Sequence, residues 1–222
     1  MLLLSRADIK SVFSMNDSIE AVKKAFMLYS DGKSEVPLRT NIQVPEHNGT
    51  LLFMPAYVGE LDTASLKIVN IFPENMKKGL PTAPAQVLLI DTTTGIVVAV
   101  LDGTYVTQLR TGAASGAAFD ALAVKDARVG ALIGTGGQAA TQLEAMLCAR
   151  KLEKVKIFDM CKERLDAFVE RMSVELAEYG AELIAAESSD DAVTDADILV
   201  TMTPAKRPVF DASKCKKGVT VS

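Results

Sequence analysis

Apolar and polar positions follow two different rhythms along this chain of 222 residues. In the first half, Ile19, Val22, Phe26 and Tyr29 recur at helical spacing, with Asp17 and Glu20 forming a capping-box-like start and Gly32 a C-cap. Apolar and β-branched runs at 39–44, 50–56, 64–70, 85–91 and 96–101 then read as strands. Turn signals at His47-Asn48-Gly49 and Thr93-Thr94-Gly95 separate some of them. Helices followed by a series of strands predict an α+β domain. A helix rich in Ala and Gly at 104–123 leads into the second half.

There the period changes. Short apolar runs at 129–133, 155–158, 182–186, 198–201 and 219–222 alternate with helical stretches at 138–151, 163–179 and about 190–194. Short strands bounded by Gly or acid and separated by helices predict an α/β, Rossmann-type doubly wound parallel sheet, covered on both faces. The expected organisation is a first domain at 1–123 and a second at 124–222. The run at 218–222 reads as an incoming buried strand with no helix after it. The expectation is therefore a sheet incomplete at its C-terminus, in a chain that is part of a longer protein.

The most informative stretch lies between the first two strands of that second half. Residues 129–138 read VGALIGTGGQ, an apolar run emptying into Gly134-Thr135-Gly136-Gly137-Gln138-Ala139, with Asp159 closing the next strand 25 positions after Gly134. In a G-x-G-x-x-A turn the first glycine permits a tight bend and the second lets backbone approach a pyrophosphate. The small third residue lets helix pack on strand, and the unpaired N–H groups at the helix start favour the phosphates. An acid at the end of the second strand accepts the ribose hydroxyls. An ordinary parallel-sheet turn without ligand is the alternative that this context weighs against.

Composition narrows the classes. A net charge of −4 and a pI near 5.2 argue against a general nucleic-acid surface, and Lys214, Lys216 and Lys217 read as a solvated loop. No apolar run is long enough for a membrane span or a signal-peptide core, so the cytoplasm is the default. Cys148, Cys161 and Cys215 stand far apart without metal-ligand spacing, so neither a disulfide framework nor a metal site is expected. His47, the lone histidine, falls in a turn and is assigned no role.

Several ordered segments resemble one family. Thr50-Leu-Leu-Phe-Met-Pro-Ala56, Ser65-Leu-Lys-Ile-Val-Asn70, Phe72-Pro-Glu-Asn75, Gly79-Leu-Pro-Thr82, Leu89-Ile-Asp91, Leu101-Asp-Gly103 and Leu109-Arg-Thr-Gly-Ala-Ala-Ser115 precede the glycine turn. Together they resemble the ornithine cyclodeaminase and mu-crystallin family over nearly the whole chain. The resemblance implies an N-terminal substrate-binding and dimerisation domain beside a nucleotide domain, with chemistry in the cleft between them. It implies a homodimer through the N-terminal sheets, and hydride movement between a nicotinamide and the α-carbon of an amino or imino acid.

Carried over position by position, the resemblance implies that Arg39, Lys67 and Arg110 hold the substrate's α-carboxylate. For any one of these cations in isolation, a surface or structural ion pair is the favoured reading. Lys67, however, interrupts the apolar run Ser65-Leu66-Lys67-Ile68-Val69, and a Lys inside a strand needs a partner. Lys67 is also the candidate for proton transfer at the amino group, if its pKa is lowered. The implied cofactor positions are Thr82, Arg110, Thr111, Gly134, Gly136, Gly137, Gln138, Asp159, Thr201 and Thr203. Asp159 favours NAD over NADP, since a 2′-phosphate meets a like charge. Met160 and Cys161 offer no arginine, Lys162 could partly compensate, and NADP is left open. Met54 and Tyr57 are candidates to line the substrate pocket.

Two departures bear on substrate and activity. Where ornithine cyclodeaminase has a glutamate for the distal amine, this chain has Leu52, which points to small or apolar substrates. The family's catalytic aspartate follows the strand that ends at Ser222, so the chain by itself is expected to be inactive. The expected function is an NAD-dependent oxidoreductase of alanine dehydrogenase or ketimine reductase type. The alternatives are an ornithine cyclodeaminase and a non-catalytic, nicotinamide-binding crystallin-like protein.

Overall fold

A computed structural model describes all residues, 1–222. Contacts group Met1–Ser14 with Ala21–Leu109 as one unit and Met15–Glu20 with Arg110–Ser222 as another. The change of unit therefore falls inside a helix, at Arg110, and not at residue 123 where the rhythm of the sequence changes.

The first unit is built on a mixed sheet. Its strands are β1 (Leu2–Leu4), β2 (Ser34–Glu35), β3 (Thr40–Val44), β4 (Gly49–Val58), β5 (Thr63–Ile71), β6 (Ala85–Asp91) and β7 (Val97–Asp102), in the order β1-β7-β6-β5-β4-β2 with β3 also on β4. All pairs are antiparallel except β1 on β7. The five long strands lie where the alternation placed them, to within three residues. The turn at Asn48 takes a left-handed conformation, and the Asp91 carboxylate accepts the Thr93 amide at 2.8 Å to close the β6–β7 turn.

The helices at the start depart from expectation. The capping box belongs to Ser5 and Asp8 at the head of α1 (Arg6–Val12), where the Ser5 hydroxyl accepts from the Asp8 amide and the Asp8 carboxylate accepts from the Ser5 amide. Asp17 and Glu20 sit inside α2 (Met15–Ser30), whose buried residues are Met15, Ser18, Ile19 and Leu28; Phe26 and Tyr29 are 55% and 60% exposed. The Ile19–Tyr29 stripe is thus only partly a core face. Gly32 does take the left-handed conformation of a C-cap.

The second unit is a five-stranded, all-parallel sheet. Its strands are β8 (Val129–Ile133), β9 (Lys154–Phe158), β10 (Glu182–Ala185), β11 (Ile198–Thr201) and β12 (Thr220–Val221), in the order β10-β9-β8-β11-β12. Side chains alternate between two cores, as a doubly wound sheet requires. Leu132, Val155, Ile157, Ile198 and Val200 pack with Phe119 of α3 (Gly103–Leu122), Leu143 and Met146 of α4 (Ala139–Ala149), and Leu165, Phe168 and Met172 of α5 (Lys162–Glu175). Ala131, Ile133 and Leu199 point the other way, onto Val193 of α6 (Ser189–Val193) and Ala196. No helix of the protein is long and apolar enough to cross a membrane.

Two buried charges fix this sheet. Arg150, just past α4, donates to the carbonyls of Asp120, Ala123 and Val124 at 3.1, 2.8 and 3.0 Å, satisfying the C-terminal end of α3. Asp197, 6% exposed before β11, accepts the amides of Arg128 and Val129 at 2.8 and 3.0 Å and pairs with Lys216. Lys216 is therefore part of the architecture and not simply solvated. Burial pushes the Asp197 carboxyl up, but the Lys216 ion pair and the two amides outweigh it and hold it below the usual range.

A carboxyl whose pKa falls on folding contributes stability that is complete above its unfolded value, about 3.9, and is lost as the pH drops through the folded value. Asp197→Asn should lower unfolding free energy by about 1–3 kcal/mol at neutral pH. In urea titrations the gap from wild type should persist down to about pH 4 and close below it; a gap constant down to strongly acid pH would contradict this account.

Candidate functional site: the carboxyl ends of the parallel strands

The order of the parallel sheet creates a switch point. The chain builds outward from β8 through β9 to β10, then crosses to the other side of β8 for β11 and β12. Neighbouring connections therefore leave in opposite directions at the carboxyl ends of β8 and β11, the place where open α/β sheets bind ligands.

The glycine turn occupies this point. Gly134 has φ +97°, and a Cβ there would stand 2.5 Å from the Met202 carbonyl oxygen and 3.0 Å from the Thr203 methyl. Only glycine permits both the bend and the approach to the end of β11. At Gly136 a Cβ would meet nothing within 4 Å, so backbone faces open space there, and the turn runs directly into α4. Ala139 is fully buried beneath it. Gln138 offers no cap to the α4 backbone, and its Oε1 is buried without a protein hydrogen-bond partner.

Asp159, 7% exposed, follows β9. Its Oδ2 accepts the Thr135 amide and hydroxyl, both at 2.8 Å, and Nε of Arg164 at 3.2 Å; its Oδ1 accepts the Cys161 amide at 2.9 Å and Nη2 of Arg164. Burial raises the Asp159 carboxyl, and the Arg164 ion pair with the amide and hydroxyl bonds more than reverses this, leaving it far below the ordinary carboxylate range. The arginine that three following residues failed to supply thus comes from the first turn of α5. Lys162 is turned to Asp166 at 3.0 Å. A cation five residues after the acid, at the head of a predicted helix, was the available signal.

Other positions gather in the same unit. Thr201 ends β11, its amide donating to the Ser222 carbonyl at 3.1 Å, and Thr203 lies against Gly134. On α3, Arg110 is exposed, and the Thr111 carbonyl accepts Nε2 of the buried Gln142 at 3.2 Å, tying this turn of α3 to α4. The Ser115 hydroxyl lies 2.8 Å from that of Ser222. Gln142 carried no sequence signal beyond its place in the helix.

The remaining positions lie in the first unit. Lys67 sits mid-β5, half-buried, between Met54 of β4 and Val87 of β6 in the register. Arg39, exposed, stands one residue before the Thr40–Phe53 pair, at the position that continues the register onto Met54. Leu52 and Val69 share the Lys67 face by alternation. Tyr57 has the opposite parity to Met54 and lies on the other face, so it does not join this group. Thr82 is exposed in a loop that its carbonyl closes by accepting the Phe72 amide at 2.9 Å. His47 is exposed in a short 3-10 turn.

The residues fit a dinucleotide. The open backbone at Gly136 matches a pyrophosphate, the turn leads into the N-terminus of α4, the orphaned Gln138 Oε1 seeks a donor, and Asp159 is the acid at the strand end.

Comparison with known proteins agrees in kind. The family model described as the ornithine cyclodeaminase/mu-crystallin family matches residues 1–222. A Delta(1)-pyrroline-2-carboxylate reductase of Bacillus cereus is 34% identical over 222 residues, covering 100% of this chain and 67% of that protein. An alanine dehydrogenase of Archaeoglobus fulgidus is 37% identical over 221 residues, covering 100% and 66%. Among solved structures, the Thermococcus litoralis Delta(1)-pyrroline-2-carboxylate reductase in complex with NADH and L-proline superposes with a TM-score of 0.93 at 42% identity, covering 100% of this chain and 68% of that one. The chain spans about two thirds of the length of these relatives.

Gly134→Ala should cost about 1–3 kcal/mol, from the positive φ and the Met202 contact, whereas Gly136→Ala should stay within about 0.5 kcal/mol. Thermal unfolding of the two variants checks this, and equal losses at both positions would contradict the different environments of the two glycines.

Proposed function

The chain belongs to the ornithine cyclodeaminase/mu-crystallin family, and from that premise we propose that it transfers a hydride between a nicotinamide coenzyme and the α-carbon of a small imino or amino acid. The observation that carries the reading is the switch-point turn at Gly134–Ala139 with the buried Asp159 beside it, in a chain 42% identical to a reductase solved with NADH and L-proline. NAD is the coenzyme of this reading, bound by the glycine turn, Gln138, Asp159, Thr201 and Thr203, with Thr82, Arg110 and Thr111 contributing.

The coenzyme, when bound, supplies or accepts the hydride. This chain's own residues position the substrate. Arg39, Lys67 and Arg110 hold the α-carboxylate, because fixing that group with charge-assisted donors fixes the neighbouring carbon and converts orientation into rate. Lys67 has a second role, delivering or removing the proton at the nitrogen. Leu52, Met54 and Val69 make its surroundings apolar and offer a distal ammonium no partner, which favours compact substrates over ornithine.

Assays of the intact protein with reduced coenzyme against Delta(1)-pyrroline-2-carboxylate, and against pyruvate with ammonia, should show coenzyme oxidation with at least one. Lys67→Met should lower kcat/KM by about 100-fold or more. Ammonia release from ornithine without net coenzyme turnover would establish the cyclodeaminase chemistry instead, and coenzyme binding without any turnover the crystallin-like alternative.

The reading includes a homodimer through the first unit's sheet. The buried strand side chains there, Val69, Ala85 and Ala99, all lie on the Lys67 face by register. On the opposite face Leu51, Phe53, Leu66, Ile68 and Leu88 are only half-buried and Ile42 is 48% exposed. Such a continuous apolar surface favours a second copy over water. Wild type should sediment as a dimer and Ile42→Glu should shift it toward monomer, since the substitution is harmless on a free face; a wild-type monomer would refute the interface.

A further inference from the structure

Arg164 occupies the adenosine-side acid in a way that the dinucleotide reading alone does not require. Its fork gives one hydrogen bond to each oxygen of Asp159, Nε to Oδ2 and Nη2 to Oδ1. A vicinal diol donating to both oxygens of a carboxylate makes the same pattern. The other donors on Asp159 are the Thr135 amide and hydroxyl and the Cys161 amide, which belong to the glycine turn and the start of α5 and hold the carboxylate in place. With Arg164 they make five donors on a carboxylate that has about four lone-pair positions, three on Oδ2 and two on Oδ1, so no place is left for a ribose hydroxyl while Arg164 stays. The releasable donor is Arg164, whose side chain is half-exposed on a long stem and can leave without repacking.

We propose that Arg164 is the coenzyme-selecting residue: it holds the place on Asp159 that a ribose diol takes, yields it to the diol of a dinucleotide, and pairs with the 2′-phosphate when the dinucleotide carries one. This rests on reading the glycine turn as a coenzyme site. Electrostatics gives the reason. An unpaired Asp159 presents a 2′-phosphate with a like charge, whereas Asp159 and Arg164 together present a formally neutral pair, and the guanidinium displaced from the carboxylate is a fork suited to phosphate oxygens. Lys162, committed to Asp166, does not fill this role. The Asp159 position therefore does not exclude NADPH, and discrimination between the two coenzymes resides in Arg164.

The test is fluorescence titration with NADH and NADPH of wild type, Arg164→Met and Arg164→Lys. Wild type should bind both, with dissociation constants within about tenfold of each other. Arg164→Met should weaken NADPH by about 10- to 100-fold, the worth of a charge-assisted contact, while leaving NADH unchanged or tighter because Asp159 is freed. Arg164→Lys should retain part of the NADPH affinity, a point charge replacing a fork. Raised salt should weaken NADPH more than NADH in wild type and equally in Arg164→Met. NADH binding in wild type with a coenzyme ratio that Arg164→Met leaves unchanged, or equal weakening of both coenzymes by that variant, would overturn the role of Arg164 and leave the coenzyme site standing. Failure of wild type to bind either coenzyme would overturn the site itself.

Discussion

A carboxylate taken out of water has to be given donors, and the nucleotide half of this protein uses that requirement twice on one strand. β8 is held at its entrance by Asp197, which accepts the Arg128 and Val129 amides, and at its exit by Asp159, which accepts the Thr135 amide. Each acid comes from a neighbouring strand, β11 on one side and β9 on the other, and each is completed by a half-exposed cation, Lys216 or Arg164. The arrangement satisfies backbone groups that a short parallel strand leaves at its ends. It also ties the ends of three adjacent strands together, because the Asp197 and Asp159 carboxylates beside β11 and β9 accept amides at the two ends of β8. The glycine turn inherits its position from this lock, since Thr135, its second residue, is what Asp159 grips.

The two locks differ in what can reach them. Asp197 sits at the amino ends of the strands, away from the switch point, and its partners are two strand amides and Lys216. Asp159 sits at the carboxyl ends, next to the switch point, where the same construction places a strongly hydrogen-bonded acid at the rim of a crevice. One physical device thus stands at both ends of the sheet, and the topology places one copy of it beside the switch point.

Much of the second unit was legible because parallel strands buried on both faces read as short apolar runs, and because glycine and acid punctuate them. Val129–Ile133 and Ile198–Thr201 coincide with the runs that announced them. The start of the chain was harder. Its apolar residues Leu2 to Leu4 form an edge strand too short to show a period, and the Ser5–Asp8 box uses Asp where Glu or Gln is the common partner. Phe26 and Tyr29 continue the spacing of Ile19 yet stay exposed, because helical periodicity marks a face without saying how far a neighbour extends along it. Among the site residues, Asp159 was evident from its place after β9. Arg164 was not, because its relevance depends on one turn of α5 bringing position five back over position zero, which spacing within the next three residues cannot reveal.

The first unit's sheet shows how a single strand can carry opposite demands. β5 presents Lys67 with Ser65 and Val69 to one side and Leu66 with Ile68 to the other, so neither face is polar and the usual alternation of apolar inside with polar outside is absent. Burying an ammonium among Leu52, Met54 and Val87 is costly unless an anion or a strong acceptor meets it. Lys67 stays half-buried in this row, and Arg39 stands at the position that continues the same register row onto Met54.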